Sequence, residues 1–119
     1  DSFASLVPHP YPGFPATFYA KSRFQGIAIM QLFIPAVAYY ETSGATGDSA
    51  TVKRLALDQA KRELAGKPEL VFAWTDYESI NGKTFDIIAW LNHDEGFRAM
   101  WKDYVHTRTI GGYLVFRRK

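Results

Sequence analysis

The chain has 119 residues, the size of one domain with a single core. Hydrophobic residues make up 47% and charged residues 22%, ordinary proportions for a soluble globular protein, while the aromatic share of 16% is high. Three of the 14 basic residues are Arg117, Arg118 and Lys119; the other 11 face 12 acidic ones, so the net charge of +2 belongs to the tail and a general nucleic-acid surface is not implied. There is no cysteine, which excludes disulfides, thiolate metal sites and cysteine nucleophiles. The first residue is Asp1 rather than Met, which reads as a processed or trimmed chain. The longest apolar run, Ile27 to Ala38, contains Gln31 and Pro35 and is too short to span a bilayer.

In chain order, residues 1–15 read as an extended Pro/aromatic arm. Pro8, Pro10, Pro12 and Pro15 bias their predecessors toward extended backbone, and Phe3, Leu6, Tyr11 and Phe14 give the arm apolar weight. Residues 16–119 form the α+β domain. A short strand is expected over 16–24 and a longer one over 26–40, apolar on both faces and therefore central in a sheet, with a break at Pro35. Thr42 to Gly47 reads as a loop.

Asp48 to Pro68 is the one long helix. Asp48 or Ser49 suits the N-cap, Gly66 the left-handed end, and Pro68 the stop. Val52, Ala56, Leu57, Ala60 and Leu64 form its apolar side. Lys53 and Glu63 intrude there, with their stems expected along the boundary and their charged heads in water.

After the helix, residues 70–79 and 83–92 flank Asn81-Gly82, a pair that favours a two-residue type I′ hairpin. That register sets Trp74 opposite Ala89 and Tyr77 opposite Asp86. It puts Phe72, Trp74, Phe85, Ile87 and Leu91 on the face toward the helix, and Tyr77, Ile88 and Trp90 on the other. Asn92 to Gly96 is a turn. Phe97, Met100, Trp101, Tyr104 and Val105 have helical spacing, so a short helix is expected near 94–101. Strands follow at 104–110 and 113–117 around Gly111-Gly112. A helix running to His106 would instead give the order βαββαβ of a ferredoxin-like fold.

The fold expected is thus α+β: an antiparallel sheet of about five to six strands with a helix over about 48–66 packed on one face. The helix at 48–66, Ile80-Asn81-Gly82-Lys83 before a strand, and Ile110-Gly111-Gly112-Tyr113-Leu114 before the last strand resemble the PsbP/Mog1-like family of small α+β domains. The resemblance covers about residues 14–116. It implies a non-catalytic binding or assembly role outside the cytoplasm and carries over no specific functional residue.

No catalytic constellation stands out. His9, His93 and His106 lack metal-ligand spacing, and His93-Asp94-Glu95 reads as a solvated turn. Asp76, Glu78 and Asp86 read as charges that keep the hairpin end soluble. The set with functional composition is Tyr77, Ile88 and Trp90, joined by Tyr104, His106 and Arg108 from a neighbouring strand and by Tyr11 of the arm. Aromatics and Arg on an exposed sheet face are the residue types of protein interfaces. The same face is equally well explained as the seat of the arm. The reading is therefore a non-enzymatic binding protein, periplasmic or secreted, acting through that sheet face, the N-terminal arm or both, with an immunity or inhibitor protein as one form of it. Its partner is another protein, without nucleic acid, metal, cofactor or transmembrane segment. The alternative is a small enzyme or ligand carrier with a pocket between helix and sheet, using Asp76, Glu78 and His106.

Overall fold

The structure, a computed structural model, describes residues 2–7, 23–24, 33–44, 47, 49–74, 77–79, 81–110 and 112–119. Tyr11, His9, Asp48, Asp76, Ile80 and Gly111, named above, lie outside that set.

The α+β expectation holds. Strands β1 (Ser2–Leu6), β2 (Arg23–Phe24), β3 (Leu70–Ala73), β6 (Tyr104–Ile110) and β7 (Tyr113–Arg118) form a sheet in the order β2-β1-β3-β7-β6. The pairs β3–β7 and β7–β6 are antiparallel, as expected. β1, however, runs parallel to both β2 and β3, so the sheet is mixed. Strands β4 (Tyr77–Glu78) and β5 (Thr84–Phe85) make a separate small hairpin. Helices α1 (Ile34–Ser43), α2 (Ser49–Ala65), α3 (Ile87–Leu91) and α4 (Glu95–Trp101) complete the elements among the described residues.

One core unites them. Leu6, Val71, Ala73 and Tyr104 from the sheet pack with Val37 and Ala38 of α1, Ala60 and Leu64 of α2, Leu91 of α3 and Phe97 of α4. α2 matches its expected span to within a residue at each end. Its inward side differs at Glu63, which is fully buried at 0% exposure rather than snorkelling. Gly66 does not take the left-handed position; Lys67 does, at φ 50°.

Three expectations are corrected. Residues 2–6 are not a free arm segment but an interior strand. Phe3 and Ser5 face one side and Ala4 and Leu6 the other, and all four are buried. The stretch expected as a strand over 26–40 is helical from Ile34. Pro35 sits in the first helical turn, where a missing N–H costs nothing, and Gly44 closes the helix at φ 71°. Only Ile34, Val37 and Ala38, at helical spacing along one side, are buried, and the apolar Tyr39 on another side is exposed, which is why the run shows no period of its own.

The third correction is the hairpin. Tyr77 pairs with Phe85 and Glu78 with Thr84, one residue out of the expected register. The Ser79 N–H donates to the Lys83 carbonyl and the Gly82 N–H to the Ser79 carbonyl, both at 2.8 Å, so the loop closes between Ser79 and Lys83 rather than around two residues; of its described residues only Gly82, at φ 80°, is left-handed. The return strand ends at Phe85, because the Asp86 carboxylate accepts the Ala89 N–H at 3.0 Å and caps α3. Trp74 therefore never meets Ala89; its ring lies 5.3 Å from that of Tyr113.

The end of the chain follows the sequence closely. The Asp94 carboxylate caps α4 through the Phe97 N–H at 2.8 Å and pairs with Lys61 of α2 at 2.8 Å. The Trp101 ring stacks on Phe97 and Tyr104, with centroids 5.6 and 5.5 Å away. The Tyr104 hydroxyl donates to the buried Pro68 carbonyl at 2.7 Å, tying the start of β6 to the chain leaving α2.

Candidate functional site: the exposed face of the edge strand

Among the described strands, β6 lies at an edge of the sheet, paired with β7 alone. Tyr104 is buried, but the six residues from Val105 to Ile110 are exposed. Two of them are large and apolar, Val105 at 42% and Ile110 at 50% exposure.

β6 is not a regular strand. His106 pairs with Phe116 and Arg108 with Val115, so Thr107 is an extra residue with no partner across the ladder. Its hydroxyl donates to the Val115 carbonyl at 3.1 Å, which holds the bulge. Simple alternation would put Tyr104, His106 and Arg108 on one side, as the sequence reading had them. The bulge breaks that set. Tyr104 and His106 stay on the side of Phe116, toward the helices, with the His106 ring 5.4 Å from Phe116. Arg108 moves to the opposite side with Val115. Past the bulge, Ile110 pairs with Tyr113, and before it Val105 pairs with Arg117. Val105, Arg108 and Ile110 thus share the face away from the helices.

Pairing extends this strip inward. Arg117 is opposite Leu70 and Val115 opposite Phe72 on β3, while the Trp74 ring meets Tyr113. Near β1 this face is closed: Phe3, Ser5 and Val115 are buried. Exposure grows toward the edge, through half-buried Trp74 and Tyr113 to exposed Arg108, Arg117 and Ile110. Among the described residues, the open strip is a band of Val, Ile, Tyr and Trp with two guanidinium groups and no carboxylate.

The other residues singled out from sequence do not join it. Ile88 is buried in the core from α3, and Trp90 packs half-buried beside Phe85 at 6.4 Å. Tyr77 on β4 packs against the same core. The face expected to carry Tyr77, Ile88 and Trp90 does not form, because Ile88 and Trp90 lie on a helix. Sequence reasoning missed Val105 and Ile110 as functional candidates. The missing signal is the bulge, which no residue of Thr107-Arg108-Thr109 announces.

Among the described residues, no three His, Asp or Glu side chains cluster as a metal site, and no helix is long and apolar enough to cross a membrane. His93 lies exposed in the turn before α4, its Nδ1 3.3 Å from the Trp90 carbonyl. Comparison with protein-family models, with curated proteins and with solved structures found no match.

Proposed function

We propose that this protein is a non-enzymatic binding module whose partner is another protein, held on the bulged face of β6. The observation that carries the reading is the bulge at Thr107. It turns Val105, Arg108 and Ile110 onto one exposed face, where alternation would have divided them. Edge strands in soluble proteins are usually short, charged on both sides or covered; an exposed edge presenting Val and Ile is a surface that attracts a partner. Arg and aromatic residues are the commonest energetic anchors of interfaces. With Arg108 and Arg117 on the strip and no acid among its described residues, the complementary partner surface is acidic with an apolar centre. A cofactor-free module of this kind acts by covering its partner, as inhibitors and immunity proteins do, and the periplasmic or secreted location expected from the sequence suits that role.

The test is site-specific photo-crosslinking in the source organism. A photoreactive side chain at Ile110 and one at Val105 should give the same single heterologous adduct, and one at Arg54, exposed on α2, should not. Arg108→Glu with Ile110→Glu should abolish the adduct without lowering the melting temperature, a loss of roughly 2 kcal/mol or more of affinity. Identical adducts from positions 110 and 54, or an adduct of the chain with itself alone, would refute the reading.

A further inference from the structure

Adjacent arginines at the end of β7 point to opposite sides of the sheet. Arg117 belongs to the strip described above. Arg118, paired with Tyr104, belongs to the helix side. There it lines a hollow of about 450 Å³ between the end of α2, α4 and the last residues of β7. Lys67 and Lys119 line it too, with Asp103 as the one carboxylate side chain. Leu64 and Met100 give it an apolar wall.

Lys67, Arg118 and Lys119 are all exposed, and two backbone features fix where they start. The first is backbone conformation. Lys67 holds φ 50°, a left-handed value that side chains other than Gly adopt at a cost, although Gly66 stands one position earlier. A helix that only needed to end here would end better on Gly66. The second is fixation of the opposite rim. The Arg118 N–H donates to the Glu69 carbonyl at 2.9 Å, and the Lys119 N–H donates to the Asp103 carbonyl at 2.7 Å. The backbone that carries these two cations is therefore anchored. Among the described residues, Lys67, Arg118 and Lys119 make no ion pair within 4.0 Å.

We infer that this hollow binds a small organic phosphate ester, its dianionic head between Lys67, Arg118 and Lys119 and its apolar part on Leu64 and Met100. A planar guanidinium offers two parallel N–H donors to phosphate oxygens, and ammonium groups add point charges around them. The apolar wall gives an ester an advantage over inorganic phosphate. This site is independent of the protein-binding strip, since Lys67, Met100 and Leu64 lie on the helix side of the sheet. The competing role for the cations is to complement the C-terminal carbonyls of α2 and α4, which both end at the hollow.

The experiment is an NMR titration of the ¹⁵N-labelled chain with phenyl phosphate, repeated with inorganic phosphate. Amides of residues 64–67, 99–104 and 117–119 should shift together and saturate, with a Kd below about 1 mM. Lys67→Gly and Arg118→Gln should each weaken binding roughly fivefold or more, the loss of one charge-assisted contact at a partly open site. Lys67→Gly should melt no lower than the parent, because Gly relieves the left-handed strain. Inorganic phosphate should bind more weakly than the ester. Absence of saturable shifts, shifts centred elsewhere, or equal affinity for both phosphates would overturn the assignment. So would a Lys67→Gly variant that binds as tightly as the parent while melting lower, which would leave the lysine with only a helix-end role.

Discussion

Removing one oxygen, in Tyr104→Phe, tests how β6 is anchored. The hydroxyl donates to the Pro68 carbonyl at 2.7 Å, across 36 residues of sequence, in a buried setting. Phenylalanine keeps the ring and its stacking on Trp101, 5.5 Å away at 18°. What is lost is the bond itself, together with solvation of a carbonyl that has no water to turn to. Such losses cost about 1–2 kcal/mol. For a chain of 119 residues that lowers the melting temperature by roughly 4–8 °C. Alkaline pH provides a second reading of the same bond. Burial pushes the Tyr104 hydroxyl above its usual value of 10.0, with the charge of Arg118 offsetting part of the effect. A group whose pKa is raised by folding stabilises the fold below its unfolded value, and that contribution is lost as pH rises past it. The gap between parent and variant should therefore be constant to about pH 10 and narrow above it. Differential scanning fluorimetry across pH 7–11 measures both. A variant melting within about 1 °C of the parent at pH 7 would show that the carbonyl does not depend on this donor.

Two further outcomes follow from the same contacts. Trp90→Ala should lower stability by roughly 2 kcal/mol, below the full cost of a buried aromatic, because Trp90 is half-buried against Phe85; chemical denaturation measures it, and an unchanged midpoint would place the ring outside the core. Asp94→Asn keeps an acceptor at the start of α4 but removes its charge. The Lys61 hydrogen bond, then the Phe97 N–H, hold the Asp94 carboxyl below its ordinary 3.8, so its contribution is present above that value and lost as pH falls. Asp94→Asn should accordingly melt lower than the parent at neutral pH and converge with it as acid protonates the carboxylate, at a pH below the ordinary 3.8; a gap that persists in strong acid would assign the loss to something other than charge.

The parts of the fold readable in the sequence are those where local chemistry and global packing agree. α2 has a 3.6-residue apolar period and a stop signal, and the structure departs in which residue turns left-handed and in burying Glu63. β6 and β7 follow from a Val/Thr/Ile run and a Gly-Gly turn. Where one pattern serves two structures, the reading went to the wrong one. Ile34 to Tyr40 is apolar on every side, which suits a central strand or a packed helix, and Pro35 suits a break or a first turn. Ile87 to Leu91 looks like a strand until Asp86 is seen as a cap for Ala89. A slip of one residue at Asn81-Gly82 and a strand that stops at Phe85 dissolved the cross-strand faces assigned through that hairpin, although Phe85, Ile87 and Leu91 still reach the core. The candidate site was legible in composition, as Arg and aromatics near 104–113, but not in geometry, because an unpaired Thr107 decides which side chains share a face.

The place of β1 inside the sheet has a kinetic consequence. Its partner β3 begins at Leu70, opposite Phe3, so the two strands are separated in sequence by β2, α1 and α2. On a ribosome adding about 5–20 residues per second, the roughly 65 residues between them take about 3–13 s to appear. During that interval Phe3, Leu6 and Val7 have left the tunnel without the strand that later closes over them. Closing a loop of that length is itself slow compared with forming α2 or the β6–β7 hairpin. This strand, made well before β3, is thus among the last parts of the sheet to be secured. Expression conditions, chaperone demand and the position of any affinity tag will act on this molecule mainly through that waiting strand.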